Sequence, residues 1–207
     1  EIVDICTKFG VYILSDLAYA EIYYDGFIPP SILEIPKAKN IAVEFSSLSK
    51  TYSMPGWRVG FAVGNKKLIE ALTKIKSYLD YGAFTPVQVA AIAALNGSQK
   101  CVDDIRSIYL KRRNVLVEGF SRIGWNMDLP KSTMFVWAPL PKKYLNIGSL
   151  EFSKLLLKTG KVAVAPGIGF GKNGEGFVRI GLVENENRIR QAIKNIKVLF
   201  DKDKDKD

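Results

Sequence analysis

Hydrophobic and polar positions along the chain follow two periods, one typical of amphipathic helices and one typical of strands. Apolar residues recur at helical spacing in the segments 1–9, 66–78, 87–95, 99–123, 150–159 and 186–200. Short apolar runs between these segments predict strands at 11–14, 41–45, 58–63, 125–129, 134–138, 162–165 and 176–182. Helices and strands that alternate in this way predict an α/β fold. Ser149 is the predicted N-cap of the helix at 150–159.

The character of the chain changes after its longest periodic segment, 99–123, where shorter strands punctuated by glycine and proline begin. A helix of this length commonly bridges two structural units. We therefore predict a larger domain over 1–120 and a smaller α+β domain over 121–200. The last residues, 201–207, alternate Lys and Asp without apolar content, which predicts a disordered tail.

Composition limits the kinds of function that the chain can serve. It has 207 residues, of which 47% are hydrophobic, enough for a substantial core. No apolar run approaches the length of a membrane helix, and the first residues lack the basic start of a signal peptide. A cytoplasmic protein without a membrane partner is therefore expected. The formal charge is +9, but the basic residues are interleaved with acidic ones along helical faces, so nucleic acid is not an expected partner.

The groups available for acid–base chemistry and metal binding are restricted. The chain has no histidine, which removes the commonest general base and the commonest metal ligand. Cys6 and Cys101 lie in predicted helices without a partner pattern, so we interpret both as buried packing residues. Proton transfer is thus left to Lys, Tyr or a carboxylate, and no metal site is predicted.

One stretch, 45–60, combines a strand end with reactive and anion-binding side chains; it reads FSSLSKTYSMPGWRVG. A lysine at a strand end, desolvated by apolar walls, is a candidate for imine formation with a carbonyl compound. The hydroxyls of Ser47 and Ser49 and the guanidinium of Arg58 are donors that suit a phosphate group. An amine that forms an imine beside donors for a phosphate indicates pyridoxal phosphate bound at Lys50.

This stretch resembles the cofactor-lysine motif of the class I/II aminotransferases, which are fold type I pyridoxal phosphate enzymes. In that motif a serine precedes the lysine by three residues and an arginine follows it by eight, as Ser47 and Arg58 do around Lys50. The resemblance covers essentially the whole chain. Within this family, the sequence is most similar to the bacterial alanine (glutamate-pyruvate) aminotransferases, followed by the LL-diaminopimelate and aspartate aminotransferases.

Three residues elsewhere keep two interpretations on the sequence alone. Asp16 and Tyr19 follow a strand end, where α/β sheets bind ligands, but a helix cap and a packing ring are equally compatible. Arg179 lies among apolar neighbours and requires either an internal acid or an incoming carboxylate. The resemblance implies that Asp16 pairs with the pyridine nitrogen of the cofactor, that Tyr19 hydrogen-bonds its phenolic oxygen, and that Arg179 binds the α-carboxylate of the substrate.

The resemblance also implies roles for the motif residues and an organisation for the whole protein. The resemblance implies that Lys50 holds the cofactor and transfers a proton, and that Ser47, Ser49 and Arg58 bind the phosphate. The chain is expected to be a carboxyl-terminal half, with part of the large pyridoxal phosphate-binding domain, built on a mixed and mainly parallel sheet, followed by the small domain. The full-length protein is expected to be a homodimer, with the helix break at 81–86 near the interface.

Several alternatives stay open at this point. The expected substrates are alanine or glutamate with pyruvate or 2-oxoglutarate, and the alternatives are LL-diaminopimelate or aspartate. A different pyridoxal phosphate reaction, such as an elimination, a ligand-sensing domain and an inactive fragment are further possibilities. The glycine-rich run 166–171 does not predict a dinucleotide site, because its spacing is wrong and no helix follows it directly.

Overall fold

The computed structural model of the chain describes residues 1–202 and divides into two units. The first unit is Glu1–Arg106 and the second begins at Ser107, so the division lies inside the longest helix. Each unit combines helices with a three-stranded sheet, which confirms the predicted α/β class. Residues 203–207, most of the predicted tail, lie outside the described part of the chain.

The sheet of the first unit has the order β1-β2-β3 and is mixed, as expected. Its strands are β1 (Ile13–Asp16), β2 (Ala42–Ser47) and β3 (Gly60–Gly64). Strands β1 and β2 are parallel, with Asp16 opposite Phe45, whereas β3 is antiparallel to β2, with Gly60 opposite Ser47. The carboxyl ends of β1 and β2 and the start of β3 therefore meet at one edge of the sheet.

The helices of the first unit occupy the predicted segments, except for the short helix that carries Lys50, which was not predicted. They are α1 (Ile2–Phe9), α2 (Leu48–Thr51), α3 (Lys66–Leu79), α4 (Thr85–Asn96) and the first turns of α5 (Lys100–Ser121). Helix α1 ends at Gly10, whose φ of 65° suits glycine and whose N–H donates to the carbonyls of Cys6 and Thr7. Short 3₁₀ turns at Ile32–Glu34, Pro36–Asn40 and Pro55–Trp57 complete this unit.

A buried carboxylate ties one of these turns to the central strand. Glu44, in β2, is only 7% exposed. Both of its carboxylate oxygens lie 2.9 Å from the hydroxyl of Ser31, and one accepts the backbone N–H of Ile32 at 3.1 Å. Because these donors replace the water that a buried charge loses, Glu44 anchors the segment that leads into β2.

The second unit has an antiparallel sheet of order β4-β6-β5. Its strands are β4 (Phe135–Pro139), β5 (Ala165–Pro166) and β6 (Phe177–Gly181). Its helices are the remainder of α5, α6 (Gly148–Leu155), which continues as a π-helical turn over Leu156–Gly160, and α7 (Glu186–Lys202). 3₁₀ turns lie at Lys142–Ile147, Gly167–Phe170 and Lys172–Gly174. Helix α7 thus extends two residues into the segment predicted to be a tail.

Two predicted elements of this unit are wrong, each for a physical reason. No strand forms at 125–129, because the apolar run serves the core: Trp125 is 1% exposed and its indole N–H donates to the carbonyl of Pro139 at 2.7 Å. Ser149 is not an N-cap, because α6 begins at Gly148 and the Ser149 hydroxyl bonds to other segments. The strand predicted at 162–165 is reduced to Ala165–Pro166.

The structure shows how far each cysteine is buried and how long and apolar the helices are. Both cysteines are free, but only Cys6 is half-buried, while Cys101 is exposed, so its interpretation as a buried packing residue is wrong. The thiol of Cys101 lies 3.8 Å from the carbonyl of Ser98 in the preceding turn, on the solvent side of α5. Within residues 1–202, no helix is both long and apolar enough to cross a membrane.

The hydrogen bonds of Glu44 predict that removal of its carboxylate destabilises the protein. We expect Glu44→Ala to lower the free energy of unfolding by about 1–3 kcal/mol, because the Ser31 hydroxyl and the Ile32 N–H lose their buried acceptor. Glu70→Ala is the matched control, since it removes an exposed carboxylate 3.8 Å from Lys66 and is expected to change stability by less than about 0.5 kcal/mol. Urea denaturation of both variants makes the comparison, and equal costs would contradict the anchoring role.

Candidate active site

The sheet of the first unit brings the motif residues to one edge. Asp16 is the last residue of β1 and Ser47 the last of β2, and these strands run in parallel. Lys50 follows in α2, and Arg58 precedes β3, which returns along β2 with Gly60 opposite Ser47. The backbone N–H of Leu48 donates to the carbonyl of Val59 at 3.2 Å and holds the start of α2 beside the residue that follows Arg58.

Lys50 is half-buried at this edge and has no acidic partner in the described chain. The short helix that carries it is capped by Ser47, whose hydroxyl accepts the backbone N–H of Ser49 at 3.3 Å. The amine of Lys50 lies 5.9 Å from the centre of the Tyr19 ring. An amine in this setting, packed near an aromatic ring and without a carboxylate to neutralise it, is available to a ligand.

Two side chains beside Lys50 present donors without protein acceptors. Ser49 is 7% exposed, and its hydroxyl makes no hydrogen bond within residues 1–202. Arg58 adopts a left-handed conformation with φ 51° and ψ 49°, and one of its terminal nitrogens donates to the carbonyl of Pro55 at 2.9 Å. Arg58 is exposed, and its other N–H donors have no partner among the described residues, so they are available to an anion.

Asp16 and Tyr19 lie at the same edge, directly after β1. One carboxylate oxygen of Asp16 accepts the N–H of Ala18 at 3.2 Å and so supports a turn, but no helix follows it directly, and the helix cap that the sequence left open is not formed. Its other oxygen has no hydrogen bond within the described residues and remains able to meet a ligand. The Leu17 N–H donates to the Phe45 carbonyl at 2.9 Å and fixes this turn against β2.

The side chains at this edge match the chemical groups of pyridoxal phosphate. An amine suits its aldehyde, a carboxylate suits its ring nitrogen, a phenol suits its phenolic oxygen, and hydroxyls with a guanidinium suit its phosphate. In the order of those groups, the residues are Lys50, Asp16 and Tyr19, then Ser47, Ser49 and Arg58 for the phosphate. The donor set therefore fits the cofactor that the sequence indicates.

A cavity of about 340 Å³ adjoins the motif but does not include its lysine. Its lining includes Ser46, Ser47 and Thr51, together with Arg106 from α5. Arg106 is already neutralised, since it pairs with Glu21 at 2.6 Å and with Asp103 at 2.7 Å. The cavity therefore differs from the edge itself, where Lys50 and Arg58 have no acidic partner in the part of the chain that the structure describes.

Arg179, in β6 of the second unit, is half-buried and lies against aromatic rings instead of an acid. Its guanidinium carbon lies 4.2 Å from the centre of the Phe135 ring and 4.5 Å from that of Phe170. No ion pair or hydrogen bond of this side chain occurs within residues 1–202. The internal salt bridge that the sequence left open is thus not formed in the described chain, which favours an incoming carboxylate.

The loop that precedes β6 is held by a compact hydrogen-bond network. Ser149 is fully buried; its hydroxyl accepts the N–H of Ile168 at 3.1 Å and donates to Glu175 at 3.1 Å. The Glu175 carboxylate also accepts the N–H groups of Gly176 at 2.8 Å and Ser149 at 2.6 Å. These bonds, that from Gly176 foremost, hold the pKa of the Glu175 carboxyl below its ordinary value.

Sequence reasoning missed the rings around Arg179. Phe135, Trp137, Phe177 and Arg179 share one face of the antiparallel sheet, because Trp137 is opposite Arg179 and Pro139 is opposite Phe177. Because alternate residues of a strand share one face, Phe135 and Trp137 could have been assigned to the face of Arg179 if the pairing of β4 with β6 had been known. The position of Phe170 was not accessible, since it depends on the path of a glycine-rich loop.

Comparison with known proteins identifies relatives over nearly the whole chain. The family model described as aminotransferase class I and II matches residues 1–196. The chain is 58% identical over 95% of its length to the putative aminotransferase AatC of Rhizobium meliloti and 55% identical over 97% to the glutamate-pyruvate aminotransferase AlaC of Escherichia coli. It is 43% identical over 98% of its length to the LL-diaminopimelate aminotransferase of Moorella thermoacetica.

A solved structure agrees with these relatives. The aromatic aminotransferase from Pyrococcus horikoshii superposes with a TM-score of 0.92 at 29% identity, over 98% of this chain and 54% of that one. The chain spans about half the length of the curated relatives it matches, 49%, 48% and 51% for the three above.

The Glu175 network predicts a specific dependence of stability on acid. Because its pKa is lowered in the folded state, Glu175 contributes stability that is present above its unfolded pKa of about 4.3 and is lost as pH falls through the folded pKa. We expect Glu175→Gln to flatten the fall of the unfolding free energy between about pH 5 and pH 3.

Urea denaturation at several pH values measures this slope. The control is Glu184→Gln, which removes an exposed carboxylate that makes no hydrogen bond in the described chain. If both variants retain the slope of the unmodified protein, the network does not stabilise the loop through the ionised Glu175.

Proposed function

The chain belongs to the class I and II aminotransferases, and we propose on this basis that the whole protein transfers an amino group between an amino acid and a 2-oxo acid with pyridoxal phosphate. The observation that carries the proposal is the sheet edge of the first unit. There a half-buried lysine, with no acidic partner among residues 1–202, lies among the donors that the cofactor needs. Among the reactions that pyridoxal phosphate can support, family membership favours amino transfer.

In the proposed mechanism, the cofactor supplies an aldehyde that takes up the amino group and a ring that accepts the electron pair left at the substrate Cα. Lys50 anchors the cofactor until substrate arrives, and its freed amine then takes the proton from Cα. With no histidine in the chain, Lys50 is the base that the edge provides. Its lack of a carboxylate partner leaves the amine free for both tasks.

The remaining residues of the edge are proposed to set the charge and position of the cofactor. The free oxygen of Asp16 holds a proton on the ring nitrogen, which strengthens the ring as an electron acceptor. Tyr19 donates to the phenolic oxygen, and its ring lies beside the Lys50 amine. Ser47, Ser49 and Arg58 bind the phosphate, for which Arg58 offers donors that the described protein leaves without an acceptor.

Arg179 is proposed to bind the α-carboxylate of the substrate. A guanidinium pairs both oxygens of a carboxylate and so fixes its orientation as well as its place. Orientation matters to the rate, because the Cα–H bond must be held in the direction from which the base reaches it. The absence of an internal acid partner within residues 1–202 supports this use of Arg179.

For the substrate pair, we propose alanine or glutamate with pyruvate or 2-oxoglutarate. The proposal is supported by 55% identity to a relative named glutamate-pyruvate aminotransferase, against 43% for one named LL-diaminopimelate aminotransferase. LL-diaminopimelate and aspartate are the alternatives. A screen of these amino donors with pyruvate and 2-oxoglutarate as acceptors separates the candidates, and transfer from LL-diaminopimelate alone would overturn the proposed pair.

We further propose that the whole protein is a cytoplasmic homodimer. The break between α3 and α4 exposes large apolar side chains, among them Tyr81, which is fully exposed, and Phe84, which is 73% exposed. Exposed apolar patches of this kind mark protein interfaces. The family's dimeric organisation makes a second copy the expected partner.

The first test of the proposed function is the lysine. We expect Lys50→Ala in the whole protein to lower the rate of amino transfer by at least about 100-fold, because the general base is lost. Lys50→Arg is expected to fail equally, since a guanidinium keeps the charge but does not give up its proton. Lys39→Ala, at an exposed lysine, is the control. Coupled assays of pyruvate or glutamate formation measure the rates, and full activity of Lys50→Ala would refute the role.

The second test is the carboxylate site. Arg179→Lys is expected to lower kcat/KM for the amino acid by about tenfold to a hundredfold, through a higher KM, because paired charge-assisted hydrogen bonds are lost. Arg190→Lys is the matched control, because this arginine is exposed and its side chain bonds only to Asn187 among the described residues. Steady-state kinetics compare the two, and an unchanged KM in Arg179→Lys would remove this residue from the site.

A further inference from the structure

The rings around Arg179 come from two different segments. Phe135 is the first residue of β4, whereas Phe170 belongs to the glycine-rich loop between β5 and β6. Phe170 also contacts Trp137, with ring centres 5.5 Å apart and planes at 78°. Trp137 in turn stacks on Phe177, again at 5.5 Å, with planes 17° apart. The guanidinium therefore lies in an aromatic surface that is itself packed together.

The backbone of the loop that carries Phe170 is restricted by close packing and by a buried hydrogen bond. Gly167 and Gly174 approach so closely that a Cβ at either would overlap the carbonyl oxygen of the other. The Ser149 hydroxyl, fully buried, accepts the N–H of Ile168 two residues before Phe170. Such close packing and a buried hydrogen bond leave the loop little freedom, so the Phe170 ring is delivered to a defined position.

We propose that Phe135 and Phe170 are positioning residues, which hold the Arg179 guanidinium in the orientation that binds a carboxylate, and that the glycine-rich loop serves to place Phe170. An arginine without an acid partner has many rotamers, and stacking on aromatic rings selects among them. Both ring centres lie within 4.5 Å of the guanidinium carbon, and the N–H donors of the guanidinium have no acceptor within residues 1–202, so they remain available to pair with a carboxylate. The inference rests on the carboxylate role given to Arg179 above.

The experiment uses the whole protein with three leucine substitutions. Phe135→Leu and Phe170→Leu remove the two contacts with Arg179, and Phe177→Leu is the matched control, because that ring stacks on Trp137 from the same sheet face. Phe170→Tyr retains the ring and is expected to behave as the unmodified protein. Ser149→Ala, which releases the loop without touching Arg179, is expected to act in the same direction as Phe170→Leu but more weakly.

Two readouts are compared. The first is the rate at which phenylglyoxal modifies Arg179 in the cofactor-free protein, located by peptide mass spectrometry with the exposed Arg190 as internal reference. The second, in the cofactor-loaded protein, is the ratio of the Kd values of 2-aminoisobutyrate and isopropylamine. The first compound carries a carboxylate but no Cα hydrogen, so it binds without transferring its amino group, and the second lacks the carboxylate.

We expect Phe135→Leu and Phe170→Leu to speed the modification of Arg179 and to weaken 2-aminoisobutyrate by about threefold to thirtyfold, with isopropylamine unchanged. The proposal is overturned if both variants keep the wild-type rate and ratio, or if Phe177→Leu changes them equally. If Arg179→Lys leaves 2-aminoisobutyrate binding unchanged, the carboxylate role itself fails. The modification rate then decides the positioning role by itself.

Discussion

The parallel pairing of β1 with β2 is the constraint on which the proposed site depends. Parallel strands end at the same edge, and because Ile13–Asp16 pairs in register with Ala42–Phe45, β1 ends at Asp16 only two residues short of Ser47, the end of β2. The antiparallel return of β3 brings the residue pair after Arg58 back to that edge, with Gly60 opposite Ser47. Gly60 permits this approach, since a Cβ there would collide with the Ser46 carbonyl. Strand pairing alone thus brings Asp16 and Arg58, which are more than forty positions apart in the sequence, to the same edge.

Charge pairing separates structural cations from those proposed to bind ligands. Arg106 has two carboxylate partners and stacks at 4.1 Å on the Tyr23 ring, so its charge is satisfied internally. In the described chain, Lys50, Arg58 and Arg179 have none. Two of these lie near aromatic rings, which attract a cation without neutralising it. Lys50 and Arg179 are half-buried, whereas Arg58 is exposed. An unpaired cation is stabilised when an anion arrives, and the cofactor phosphate and the substrate carboxylate are the anions proposed here.

The sequence was informative where local spacing decides the outcome. The strand that leads to Lys50 and the isolated Arg179 in a short strand follow from apolar runs and their interruptions, whereas the short helix capped by Ser47 was not predicted. It was uninformative where tertiary packing decides. The run that begins at Trp125 resembles a strand in its sequence, but Trp125 instead packs into the core. Ser149 is a residue type that often caps helices, but its hydroxyl accepts the N–H of Ile168 in the glycine-rich loop. The exposure of Cys101 depends on which face of α5 meets the core, and a weak apolar stripe does not settle it.

Lys50 is proposed to be the residue that holds pyridoxal phosphate. The most direct measurement is to add the cofactor to the protein, reduce with borohydride and map the modified lysines by peptide mass spectrometry. At one equivalent of cofactor, we expect the label to be confined to Lys50 and to be blocked by Lys50→Ala. Label distributed over the exposed lysines, with Lys50 modified no faster than Lys39, would contradict it.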